Sequence, residues 1–168
     1  GLAARWLRVF GPAPVSDLRW FTGWTARETS RALAALDVVD VDLDGTPGIR
    51  LADDPVDPVE PPAEAVLLPA LDPTPMGWQA RDWFLGPHRD LLFDRTGNIG
   101  PTVWWEGRVV GGWAQRQDAE VVVRVLEDVG AEATDAVEAA AHRVATHVGS
   151  TRVVPRFRTP LEKELASS

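Results

Sequence analysis

The sequence predicts an α+β fold: a winged helix-turn-helix over 1–53, an acidic, proline-rich linker over 54–65, and a second unit over 66–168. That second unit is expected to be a small β-barrel or curved antiparallel sheet flanked by helices. Three observations predict this. Three short stretches of helical apolar spacing run directly into an alternating hairpin. Pro55, Pro58, Pro61 and Pro62 then interrupt an aromatic-free acidic stretch. The remainder strings β-rich runs together before a long alanine-rich helix.

The elements follow in order. Leu2, Trp6, Val9 and Phe10 recur at helical spacing until Gly11-Pro12 stops the helix. Val15, Leu18, Trp20 and Phe21 mark a short second helix closed by Gly23. Thr25 precedes Glu28 by three residues, a capping box that opens a third helix through Leu36. Val39, Val41 and Leu43 alternate with Asp40, Asp42 and Asp44, a half-buried strand, and Asp44-Gly45-Thr46-Pro47-Gly48 turns it back towards Ile49 and Leu51. After the linker come a strand near Val66 to Leu71, a short helix from about Gly77 to Leu85, and a turn cluster at Asp94 to Asn98. Thr102 to Trp105 and Val109 to Ala114 form a hairpin around Glu106-Gly107. The Gly111-Gly112 pair in the return strand suggests a bulge or a close backbone approach. Glu120 to Leu126 is a further β run, Ala131 to Val148 the long helix, and Thr151 to Val154 a closing strand. No internal repeat is visible.

Bulk properties bound the function. No apolar run approaches the roughly 18 residues a membrane span needs, and no charged-then-apolar leader is present, so a soluble cytoplasmic protein is expected. Cysteine is absent, which removes disulfides and zinc-thiolate sites. The chain starts at Gly1 and its only methionine is Met76, which suggests a fragment or a processed product. The net charge of −8 is concentrated: residues 37–64 hold nine acids against Arg50, while the other 140 residues carry 16 acids and 16 bases. Global acidity therefore does not exclude nucleic acid, though no broad basic footprint is supplied.

Five of the eight tryptophans (Trp78, Trp83, Trp104, Trp105, Trp113) fall between residues 67 and 117, interleaved with Arg81, Arg89, Arg95, Arg108 and Arg116. Such interleaving can stack on bases and meet phosphates. Tryptophan also buries large apolar areas that arginine stems cover, so the same residues suit an ordinary core.

The motifs Phe10-Gly11-Pro12-Ala13, Asp17-Leu18, Leu67-Leu68-Pro69, Asp72-Pro73, Asp94-Arg95 and Gly111-Gly112-Trp113 together resemble the C-terminal part of the bacterial winged-helix DNA glycosylases. That family excises bulky alkylated bases and unhooks interstrand crosslinks. The resemblance runs through nearly the whole chain. It implies tandem winged helices packed on a β-barrel, forming a DNA channel. The family's catalytic pair is a glutamine followed two places later by glutamine or aspartate, in a winged-helix segment upstream of the part resembled. Gln115-Arg116-Gln117 has that spacing at the end of a barrel strand, another place in the family's order, and reads as coincidence. No catalytic residue carries over, so this chain alone is not expected to excise a base.

The candidate DNA-binding residues are Arg27 and Arg31 on the third helix; Arg81, Arg95, Asn98, Arg108 and Arg116 in the second unit; and Arg152, Arg156 and Arg158 in the tail. Trp104 and Trp105 are the stacking candidates: adjacent in a strand, they point to opposite faces, so one can be core and the other exposed. Each has a plainer reading. Arg81, with His88 and Arg89, can pair with Asp82 and Asp90; Asn98 can serve its own turn; the tail arginines can pair with Glu162 and Glu164. Asp37, Asp40, Asp42 and Asp44 would repel the backbone a wing should track, so the winged helix is expected to be mainly a scaffold. His88, His142 and His147 make no ligand set, and no phosphate-cradling loop or nucleophile elbow occurs, so neither metal nor cofactor is expected. The expected partner is duplex DNA, with no membrane. A protein-interaction or structural winged-helix module is the alternative, and a transcription regulator a weaker one.

Overall fold

The computed structural model describes residues 1–55, 60 and 62–167; Asp57, Pro58 and Pro61 of the expected linker lie outside them. The chain divides into two compact units: residues 1–59 with 77–80, and residues 60–76 with 81–168.

The first unit holds helices α1 (Leu2–Phe10), α2 (Val15–Thr22) and α3 (Ala26–Leu33), then strands β1 (Val38–Leu43) and β2 (Thr46–Leu51). The predicted capping box is present at the start of α3: Glu28 N–H donates to Thr25 Oγ1, and the Glu28 carboxylate accepts from Thr25 N–H at 2.8 Å. The bond from Thr25 N–H first, and then that from the Thr25 hydroxyl, which donates to the same carboxylate at 2.7 Å, hold the Glu28 carboxyl below its usual range. The hairpin turn is tighter than the sequence suggests. Asp44 and Gly45 alone form it, both at positive φ, while Thr46-Pro47-Gly48 already pairs with β1. Asp40 and Asp42 are exposed on β1, as the alternation predicts. A bridge from Ala13, between α1 and α2, to Ile49 adds a third chain segment beside β2. Trp6, Leu7, Phe10, Leu18, Ile49 and Leu51 make the core, with Trp78 packed on it. The Trp78 indole donates to Phe10 O at 2.9 Å and meets the Phe10 ring edge-on. The helix expected over Gly77 to Leu85 is thus confined to its end, because Gly77–Ala80 is committed to this core.

The second unit is built on a four-stranded antiparallel sheet in the order β3 (Ala65–Leu68), β4 (Thr102–Trp105), β5 (Arg108–Gln115), β6 (Val121–Val125). Between β3 and β4 lie α4 (Pro73–Met76), α5 (Asp82–Leu85), a 3-10 turn and α6 (Arg89–Leu92). After β6 come α7 (Gly130–Val148) and α8 (Pro160–Ser167). Val103, Val110, Ala65 and Leu67 face α7 through Val137 and Ala140. On β5, the alternative face carries Gly112 against Leu161 of α8 and Leu92 of α6.

The barrel expectation is corrected here: among the described residues β3 and β6 are free edges, and the sheet does not close. The closing strand is corrected with it. Residues 151–154 lie outside any strand because they are held by a side chain: Gln115 donates from Nε2 to Thr151 O at 3.1 Å and accepts from Val153 N–H at 2.8 Å. The bulge expected at Gly111-Gly112 falls beside them instead: both glycines pair in register, with Val103 and Thr102, and the shift between Val103 and Trp104 leaves Val110 as the extra residue. A Cβ on Gly111 would collide with the Arg124 carbonyl of β6, the close backbone approach that glycine permits.

Candidate nucleic-acid interface

In the first unit, α3 leaves Arg27, Ser30 and Arg31 exposed and turns Leu33 towards the core, with Leu36 just beyond it. Helical spacing alone explains that division, since residues three and four apart share a face. The hairpin that follows exposes Asp37, Asp40, Asp42 and Asp44. Further acid is absorbed locally, Arg8 pairing with Asp53 at 2.9 Å and with Asp54 at 2.6 Å.

The second unit separates its candidates into committed and uncommitted groups. Arg108 pairs with Glu127 at 3.0 Å, whose second oxygen lies 3.4 Å from His88 Nε2. Arg116 pairs with Glu120 at 2.5 Å, and Arg158 with the buried Glu162 at 2.6 Å. Arg81 is 3% exposed, its guanidinium over the Phe93 ring, which withdraws it from the surface. Asn98 spends its amide donors on Asp94 and Thr96, both at under 3 Å, inside its own turn. Desolvation would raise the Asp94 carboxyl, but hydrogen bonds from Asn98 and Thr96, side chain and backbone, overcome it and hold the group well below the usual carboxylate range. Arg95, on the same loop, is exposed.

Trp104 and Trp105 do point to opposite faces, yet both are half-buried. Trp105 packs on the α7 cluster. Trp104 donates to Thr102 Oγ1 at 2.9 Å and stacks on Phe84 at 5.3 Å, bordering an open, apolar-walled cleft of about 330 Å³ with Val66 and Leu68. Trp113 is structural as well, its indole donating to Leu68 O at 2.8 Å.

The tail behaves differently. Arg152, Val153, Val154, Arg156 and Phe157 are exposed along an irregular segment that bends at Arg156 and Phe157, and Arg156 lies over the Phe157 ring at 5.5 Å. The sequence flagged its arginines but not the apolar side chains beside them. Among the described residues no cluster of three or more histidines or carboxylates could hold a metal, and no helix is long and apolar enough to cross a membrane.

Comparison with known proteins adds three findings. The family described as DNA glycosylase AlkZ-like matches residues 1–147. The solved structure of the Streptomyces sahachiroi DNA glycosylase AlkZ is similar, with a TM-score of 0.72 and 25% identity, over 94% of this chain and 44% of that one. No curated protein matches.

Proposed function

From the premise that the chain belongs to the AlkZ-like DNA glycosylase family, we propose that it serves DNA repair as the DNA-positioning part of a glycosylase-like protein. The observation that carries this reading is the family match over 1–147, joined to a structural likeness that spans nearly this whole chain but under half of the similar glycosylase. In this reading base excision is supplied by residues outside the segment. The first unit is a winged helix: three helices, a hairpin and the Ala13–Ile49 bridge follow that order. Its acidic hairpin makes it chiefly a scaffold, with Arg27 and Arg31 as its phosphate contacts. Arg95, Arg152 and Arg156 supply contacts from the second unit, and exposed pairs such as Arg108–Glu127 can exchange their carboxylate for a phosphate at little cost. Gln115 supports the absence of a catalytic role for Gln115-Arg116-Gln117, because its carboxamide is occupied by backbone.

Fluorescence-anisotropy titration of the chain with plain duplex and with duplex containing an abasic site, at low and moderate salt, tests this. Salt-sensitive binding that favours the abasic duplex is expected. A folded chain that binds neither duplex overturns the reading. One observation favours a protein-interaction module instead: Arg108, Arg116, Arg124 and Arg158 of the second unit are each paired with an acid of their own, so the charge is scattered.

A further inference from the structure

We infer that residues 151–157 form a built strip for single-stranded nucleic acid, which shares Arg152 and Arg156 with the duplex contacts proposed above and adds to them the exposed side chains of Val153, Val154 and Phe157; the inference rests on the DNA-repair reading. The strip follows the residues that the family model matches, 1–147.

Three properties carry it. First, the segment is fixed at both ends. Gln115, 6% exposed, grips the backbone at Thr151 and Val153, and at the far end Thr159, 1% exposed, caps the start of α8 through Glu162 N–H. A segment already tethered in this way loses less entropy on binding. Second, Arg152 and Arg156 are exposed cations close together in sequence, whereas Arg158 is spent on Glu162. In a chain of net charge −8 this local excess selects a polyanion. Third, Val153, Val154 and Phe157 are 65%, 49% and 46% exposed. Duplex DNA offers such side chains few partners because its bases are already stacked on one another. An unpaired strand offers base faces, and the Arg156–Phe157 pair is the interleaved cation and ring that single strands use. An acidic peptide would satisfy the arginines and leave the ring idle.

The test is anisotropy titration of the full chain with a labelled oligothymidylate and with duplex, using wild type, Phe157→Ala, and Arg152→Ala plus Arg156→Ala. All three side chains are exposed, and circular dichroism checks the fold. Phe157→Ala is expected to weaken single-strand binding about tenfold and duplex binding far less. The double arginine variant should lower the single-strand salt slope by about 1.4, two phosphates' worth. Unchanged single-strand binding in both variants, with wild type still binding duplex, overturns the strip and leaves the repair reading intact. Competition by poly-glutamate as effective as by unlabelled oligothymidylate overturns it in favour of an acidic protein partner. A wild type that binds neither duplex nor single strand removes the repair reading and the strip with it.

Discussion

Gln115 lies in the interior at the end of β5 and satisfies a donor and an acceptor of a chain segment that has no strand to pair with. Gln115→Ala leaves Val153 N–H and Thr151 O without their partners and should cost about 1–3 kcal/mol, read as a shift in the urea midpoint. Tryptic cleavage after Arg152 should accelerate in the same variant, since its backbone is released; unchanged cleavage would mean the clasp does not hold the segment. Asp94 gives a pH-dependent counterpart. Its folded-state pKa is depressed by the Asn98 and Thr96 bonds, so its contribution is complete above the unfolded value of about 3.9 and is lost as pH falls through the folded value. The stability gap between wild type and Asp94→Asn should therefore be constant near neutral pH and close in acid below about pH 4, measured by urea titration across pH. These two residues also show why the site was only half legible. Residue type and spacing placed Arg27 and Arg31 on the outer face of α3. The pairs of Asn98 with Asp94 and of Arg158 with Glu162 span four residues and were open as plainer readings, whereas the withdrawal of Arg81 over the Phe93 ring depends on a partner brought in by folding.

The elements divide in the same way, between local chemistry and tertiary override. The α3 cap was readable because both halves of the box sit within four residues, and Thr25→Ala should cost about 1 kcal/mol in a thermal melt. The same signature, Thr159-Pro160-Leu161-Glu162, with proline at the first helical position, announces α8, a helix absent from the expected elements. The closing strand looked sound because Val153 and Val154 have β-prone side chains; no strand formed because the neighbour available was a carboxamide and not a free sheet edge. Gly111 and Gly112 were legible as a pair but not as unequal partners. A methyl at Gly112 would meet the side-chain ends of Leu161 and Leu92, at 2.7 and 3.3 Å, as well as the Pro101 carbonyl at 3.0 Å; at Gly111 it would meet the backbone of β6 itself. Gly111→Ala should therefore destabilise by about 3 kcal/mol and Gly112→Ala by about 1, compared by chemical denaturation, because side chains yield where a strand must move. Equal losses would show that the sheet shifts as freely as Leu161.

At the scale of the whole molecule, the chain does not pass from one unit to the other only once. It enters the second unit near residue 60 and returns for Gly77–Ala80, so Trp78 belongs to a core laid down some seventy residues earlier. Composition could mark the proline-rich boundary, but nothing local distinguishes Trp78 from the other tryptophans of its stretch. Its partners, the Phe10 carbonyl and ring, are visible only after folding. A unit of about sixty residues has little stability to spare, since so small a body buries a modest share of its surface. Trp78→Ala removes a half-buried indole and its hydrogen bond, a loss of about 3 kcal/mol that falls on the first unit alone. Amide hydrogen exchange should then show α1, α2 and the β1–β2 hairpin losing protection while β3 to β6 keep theirs. Simultaneous loss in both units would mean that they unfold as one cooperative body, and that the returning segment couples the two instead of only completing the first core.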